Sequence, residues 1–301
     1  MTTEAGLVES KELSSTVIIS DLEAVGVAYV GAVSVANSGH YGINGGFFNP
    51  DSNPPGDLLS ITHFTKVSNG HQNQKQQGGN GSSKCSESGR LIKGLSYDQS
   101  TPTNFTRGTI ICHRNSVGEL TADVAVIRDI KDSQISEEKI QWAMGGYSLH
   151  LDKNYNDHDY LSKIQLEEHA CSINKVGRAR YANRSAIGFR RVDRKIVLAS
   201  FRCCSVLEVR KAMRYDYLCD IGIMLDGGGS SQISGFDVKT EIHIDYAHEA
   251  QARSRGKEYK GGRPIYSMVT VDPSAWVDVR SLIQKKVLIP AGVTIGRAKY
   301  C

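Results

Sequence analysis

The chain has 301 residues, 40% of them hydrophobic and 23% charged, which fits a folded globular protein and excludes a fibrous or low-complexity one. A net charge of +4 without dense Lys/Arg runs excludes a strongly basic nucleic-acid arm, and no nucleic-acid-binding motif occurs. No stretch approaches the roughly 18 apolar residues of a membrane span.

Taken in order, TVIIS (16–20) and VGVAYVGAVSVA (25–36) read as strands of a buried sheet. YGINGGFFNPDSNPPGD (41–57) reads as a strand end running into an Asn/Pro/Gly-rich loop. Residues 68–89 are polar and of low complexity, the composition of a flexible excursion. GTIICHR (108–114) and TADVAVIRDI (121–130) predict strands. SEEKIQWAM (136–144) predicts a short helix capped by Ser133 or Ser136 and ended by Gly145-Gly146. A short helix is also expected around LSKIQLEEHA (161–170), in an otherwise polar region. SAIGFRR (185–191) and KIVLASFRCC (195–204) form the arms of a hairpin.

SVLEVRKAMRYDYLCD (205–220) is the strongest helix: Ser205 and Glu208 have capping-box spacing, with Leu207, Val209, Ala212 and Met213 on one face. IGIML (221–225) then reads as a buried strand leading into Asp226. EIHIDYA (241–247) and IYSMVTVD (265–272) follow as strands. The expected fold is α+β, a mixed β-sheet core with a few flanking helices in one domain over 1–272, plus a short extension at 273–301.

The opening MTTEAGLVESKELSST has three glutamates and no apolar core, unlike a secretory signal. The seven cysteines show no CxxC spacing, so reduced thiols and a cytoplasmic setting are expected. The histidines offer no HExxH or HxH spacing. HLDKNYNDHD (150–159) is rich in oxygen ligands without EF-hand spacing, so no cofactor is expected, with a divalent cation such as calcium left open. GxxxxGK[ST], GxGxxG and GxSxG are all absent.

Glycine-bearing strand ends stand out instead: INGGFF (43–48), MGGYSLHLD (144–152) and LDGGGSSQ (225–232), with RSAIGF (184–189) placing an arginine at a strand start. Glycine lets backbone or ligand approach closely, successive N–H groups can cradle an anion, and an arginine fork matches phosphate oxygens. With a carboxylate added, this composition suits a ligand having both a phosphate and a sugar-like part.

INGGFF, RSAIGF and LDGGGSSQ, in that order, resemble the motifs of the phosphodiester glycosidase family, over roughly residues 16–272; MGGYSLHLD matches more loosely. The resemblance implies a phosphodiester-glycosidase-like domain and hydrolysis of the bond from a sugar's anomeric carbon to a phosphodiester oxygen. It also suggests a bacterial or phage member, in the latter case working in the host cytoplasm, because the family's lysosomal branch is exported and disulfide-bonded. The partner expected is a phosphorylated sugar or nucleotide-sugar ligand.

On this reading Arg184 holds the phosphate, assisted by the N–H groups of Gly227, Gly228 and Gly229 and by the Ser230 or Ser231 hydroxyl. Asp226 stabilises the oxocarbenium-like centre or activates water. Asn44, with Gly45 and Gly46, binds sugar hydroxyls; Phe47 or Phe48 walls the pocket, and Gly146 lies beside it. A two-carboxylate scheme needs a second acid, open among Asp51, Asp152, Glu167 and Glu168. Two rival readings are a non-catalytic binder that sequesters the same ligand and a phosphodiesterase that cuts P–O.

Overall fold

The computed structural model describes residues 3–9, 13–49, 57–64, 106–168, 170, 181–237, 242–247, 253–254, 257–258 and 262–272. The expected excursion at 68–89 and extension at 273–301 lie outside them.

The described residues form three main sheets. One is six-stranded, in the order Thr3–Glu9, Ser14–Asp21, Lys195–Cys204, Ala182–Arg190, Ile221–Met224, Tyr147–Ser148. A four-stranded sheet runs Thr62–Phe64, Ile140–Gly145, Arg107–Arg114, Leu120–Ile127. A five-stranded sheet runs Ile242–Ala247, Gln232–Asp237, Tyr41–Asn44, Ile265–Val271, Val25–Val33.

Neighbouring strands in these sheets pair antiparallel throughout, which corrects the expected α+β fold with a mixed sheet. The reason lies in the crossover after Cys204. The 195–204 and 221–224 strands are joined through a helix and do run parallel, but the 182–190 strand sits between them and pairs with both. A helical connection thus signals parallel strands without making them neighbours.

Only two α-helices occur among the described residues, α1 (Asp157–Glu168) and α2 (Val206–Lys211). Helix α1 starts four residues before the expected segment, where Asn156 Oδ1 accepts from Asp159 N at 2.9 Å. The predicted capping box of α2 is present: Glu208 N donates to Ser205 Oγ at 3.3 Å and Ser205 N to Glu208 Oε2 at 2.7 Å. After Lys211 the chain widens into a π-turn over Ala212–Asp216.

The helix expected at 136–144 is instead a single 3₁₀ turn, Glu137–Lys139, followed by the 140–145 strand. That strand is inside its sheet and covered on both faces: Trp142 and Met144 enter one core cluster, Ala143 another. A strand buried on both sides loses polar alternation, so its pattern does not separate it from a helix.

One apolar core lies where the three sheets meet. Ile18, Ile187, Leu198 and Ile223 come from the six-stranded sheet, Ile110 and Trp142 from the four-stranded, Ile43, Ile233 and Val269 from the five-stranded. The opposite face of the six-stranded sheet is covered by Tyr160 and Ile164 of α1 and Val206 and Val209 of α2. Burial on both faces explains why SAIGF, KIVLASF and IGIM are nearly continuous apolar runs.

Candidate functional site

Residues 221–225 and 230–235 are all buried, and the four between them, Asp226 to Gly229, reach solvent. Gly227 leads into a 3₁₀ turn, Gly228–Ser230, in which Gly228 takes a φ of +63° that a side chain would strain. The sheet's end therefore opens to water at the carboxylate and glycines singled out in the sequence.

Asp226 is pinned from both sides. Its N–H donates to Gly45 O at 3.2 Å, its carbonyl accepts from Asn44 Nδ2 at 2.9 Å, and its Oδ1 accepts from Gly227 N at 2.9 Å. Arg263 Nη2 lies 3.7 Å from Oδ2, and the Arg263 guanidinium sits 5.1 Å over the Phe48 ring. Burial pushes the Asp226 carboxyl above the ordinary aspartate range, while Arg263, the Ser230 hydroxyl and the Gly227 N–H pull it down.

Around this turn lie buried polar atoms that complete no hydrogen bond: Ser230 Oγ, Ser231 Oγ, Ser267 Oγ and Asn183 Nδ2. Ser230 Oγ is near enough to Asp226 to act on its charge but closes no well-aligned bond. Leaving one such group unmet costs about 1–3 kcal/mol, so a cluster of them at a solvent-reached turn fits a place for a polar ligand.

Arg184 lies on the strand next to Asp226. Leu225 N donates to Ser185 O at 2.7 Å, and a Cβ placed on Gly227 would stand 4.0 Å from Arg184 Cα. The two sequence-predicted residues thus share one sheet end. The Arg184 guanidinium, however, turns inward: Nε donates to Cys204 O at 2.9 Å, Nη1 is 3.7 Å from Met224 Sδ, and the residue is 6% exposed. The cation in charge contact with Asp226 is Arg263, which lies outside the motifs singled out in the sequence.

Asn44 is a knot rather than an open ligand. Its Oδ1 accepts from Ser185 Oγ at 2.7 Å and Gln232 N at 3.1 Å; its Nδ2 donates to Gly45 O at 3.2 Å and Asp226 O at 2.9 Å. An amide has four hydrogen-bonding places, and all four are taken. No place remains for a sugar hydroxyl, so the expected contact gives way to a positional role.

Gly45, Gly46 and Gly146 serve close packing. A Cβ on Gly45 would meet Ser267 Oγ at 2.3 Å, on Gly46 the Gly145 carbonyl at 2.4 Å, and on Gly146 the Met224 carbonyl at 2.2 Å. Phe47 and Phe48 diverge: Phe48 is buried against Tyr266 at 5.0 Å, and half-buried Phe47 packs on Tyr147 at 4.8 Å.

Of the possible second acids, Asp51 lies outside the described residues. Asp152 pairs with Lys153 at 2.8 Å and Glu167 with Lys163 at 2.5 Å, both at the surface. Glu168 is fully buried and accepts from Gly108 N and Ser148 N.

In the segment weighed for calcium, carbonyls of Leu149, His150, Lys153 and Tyr155 accept from the Arg210 guanidinium, so oxygens a cation would use already face a cation. Among the described residues no group of three or more His, Cys, Asp or Glu side chains gathers to hold a metal ion, and no helix is long and apolar enough to cross a membrane.

No family model matches the chain, and no curated protein matches it. Its fold is similar to solved structures. The catalytic domain of zebrafish N-acetylglucosamine-1-phosphodiester alpha-N-acetylglucosaminidase, described as auto-inhibited by its pro-peptide, superposes with a TM-score of 0.53 at 14% identity, covering 90% of this chain and 82% of that one. A hypothetical protein from Synechocystis superposes at 0.47 with 12% identity, over 89% of this chain and 61% of that one. The likeness to the zebrafish domain is one of fold.

Proposed function

We propose that the chain is a hydrolase that cleaves the glycosidic bond of a sugar-1-phosphodiester or a related phosphate-linked sugar or nucleotide. The observation that carries this reading is Asp226: a carboxyl raised by burial, at a solvent-reached turn in a buried sheet end, beside Arg263 and unmet serine hydroxyls. The fold shared with the zebrafish glycosidase domain supports it.

A phosphodiester oxygen leaves as a weak base, so the site needs stabilisation of charge more than protonation of the leaving group. Arg263 takes the phosphate in this proposal, with the Gly227–Gly229 N–H groups and Ser230 or Ser231 as donors, while the inward-turned Arg184 supports the strand beside them. Asp226 faces the anomeric carbon, where it stabilises positive charge or takes a proton from water. Asn44 holds the Asp226 backbone in place, and Phe47 walls the sugar side. A cytoplasmic setting belongs to the proposal; Cys112, Cys203, Cys204 and Cys219 are free thiols, as a reducing compartment would leave them.

One observation favours the binder reading. Asp152 and Glu167 pair with lysines at the surface and Glu168 is buried under backbone donors, so none of these three stands as a second acid. Phosphorus NMR on the chain with sugar-1-phosphodiesters and nucleotide sugars tests both readings. Release of a phosphomonoester, lost in Asp226→Asn, supports the hydrolase; binding without product supports the binder. In oxygen-18 water, label in the sugar marks C–O cleavage and label in the phosphate marks P–O cleavage.

A further inference from the structure

Ala186, Met224 and Tyr147 pair in register across three strands, so their side chains leave one face of the six-stranded sheet. Met224 carries the Arg184 guanidinium against its sulfur. Tyr147 carries a second one: Arg107 lies 4.7 Å over the Tyr147 ring and 5.0 Å over the Phe47 ring. Paired residues of neighbouring strands stand about 5 Å apart, so Arg107 and Arg184 flank one layer of side chains. Arg107 and Phe47 are both half-buried and within reach of solvent.

The Phe47 and Tyr147 rings, tilted 58° to each other, hold the Arg107 guanidinium in place by cation–π contact. The brace behind this arrangement is Glu168. Its carboxylate accepts from Gly108 N, and from Ser148 N at 3.0 and 3.2 Å, the residues directly after Arg107 and Tyr147. Thr106 Oγ1 also donates to the Glu167 carbonyl, and Arg107 Nη1 lies 3.5 Å from Glu168 O. The end of α1 thus holds the backbone next to both Arg107 and Tyr147.

We propose that Arg107, packed against the touching rings of Phe47 and Tyr147, is a second anion-binding subsite, that it selects ligands carrying two linked phosphates over those carrying one, and that Glu168 is its positioning residue. The inference rests on the hydrolase reading for the class of ligand, but not for the binding itself. The charged and titratable groups facing Glu168 are Arg107 from the 107–114 strand, His150 with Nε2 at 3.7 Å, and Glu167 and Tyr160 from α1. When Glu168 is protonated, the Arg107 charge acts on a ligand without a carboxylate behind it.

Calorimetry of the full chain with inorganic phosphate and with inorganic pyrophosphate tests this at pH 6 and pH 8. The expected result is pyrophosphate binding about tenfold tighter than phosphate, a preference removed by Arg107→Gln with phosphate affinity unchanged. Arg107→Lys, which keeps the charge and loses the forked guanidinium, retains part of the preference and serves if the Gln variant fails to fold. Glu168→Gln keeps an acceptor for both N–H groups. The ratio of its pyrophosphate affinity to that of the unaltered chain, which cancels the titration of the ligand, is expected to rise from pH 6 to pH 8. Equal affinity for the two anions, binding of neither, an unchanged preference in the Arg107 variants, or a flat ratio for Glu168→Gln overturns the proposal. A chain that prefers pyrophosphate through Arg107 yet hydrolyses no phosphodiester keeps the subsite and loses the hydrolase reading.

Discussion

The Asn44 amide donates to the Asp226 carbonyl at 2.9 Å across 182 positions of chain. This bond joins the five-stranded sheet to the six-stranded sheet at the point where the carboxylate reaches solvent. The same amide oxygen also accepts from Ser185 and from Gln232, so one side chain ties four segments together.

Asn44→Ala is therefore expected to act on stability before it acts on chemistry. It leaves the Ser185 hydroxyl, the Gln232 N–H and the Asp226 carbonyl unmet in a buried place, each costing about 1–3 kcal/mol. A loss of several kcal/mol in denaturant unfolding is expected. Asp226→Asn, which keeps shape at a partly exposed position, is expected to change stability by about 1 kcal/mol or less. Similar losses in the two variants would contradict the assignment of Asn44 as the knot.

Arg263 works against burial on the Asp226 carboxyl. Burial raises the Asp226 pKa and Arg263 opposes that, so removing the guanidinium moves the pKa further up. If the carboxylate is the working form, the acid limb of the activity profile in Arg263→Gln shifts to higher pH. An Arg184→Gln variant is expected to leave that limb in place, because Arg184 is not among the groups that act on the Asp226 charge. Profiles of kcat/KM against pH for the two variants decide this, and a shift confined to Arg184→Gln would reverse the roles.

The glycines of the motifs were legible because no other residue permits such close backbone approach. Their purpose was less so: Gly46 and Gly146 make room for neighbouring carbonyls rather than for a ligand. Gly146→Ala, whose Cβ would lie 2.2 Å from Met224 O, is expected to be strongly destabilising or insoluble. Gly26→Ala, with its nearest neighbour at 3.4 Å, is expected to fold normally. Thermal unfolding of the two variants side by side checks the contrast.

Asp226, its turn and the capped helix α2 were readable because each is encoded in a few adjacent residues. Arg263 and Arg107 were not, because a guanidinium at a strand start looks like any surface arginine until the rings of Phe48, Phe47 and Tyr147 are brought under it by pairings distant in sequence. The antiparallel order had the same cause. Local sequence shows that a helix joins two strands and gives no sign that the 182–190 strand lies between them. The 136–144 segment was misread because burial on both faces removes the alternation by which a strand is recognised.

Glu168 gives the last prediction, one of stability against pH. Burial pushes its carboxyl up to about 7 from an ordinary value of 4.5, against the pull of the Ser148 and Gly108 N–H groups and of Arg107. A folded-state pKa above the unfolded one means that the folded chain holds the proton more tightly. The stabilisation is complete below about pH 4.5 and is lost as pH rises to about 7, a span worth on the order of 3 kcal/mol. Glu168→Gln keeps an oxygen for the two N–H donors and has no proton to lose. It is expected to flatten the stability profile between pH 5 and 7 and to exceed the unaltered chain in stability at pH 8. Urea unfolding at pH 5, 6, 7 and 8 measures both slopes; parallel profiles would show that Glu168 titrates as an ordinary carboxylate and that its burial is relieved in solution.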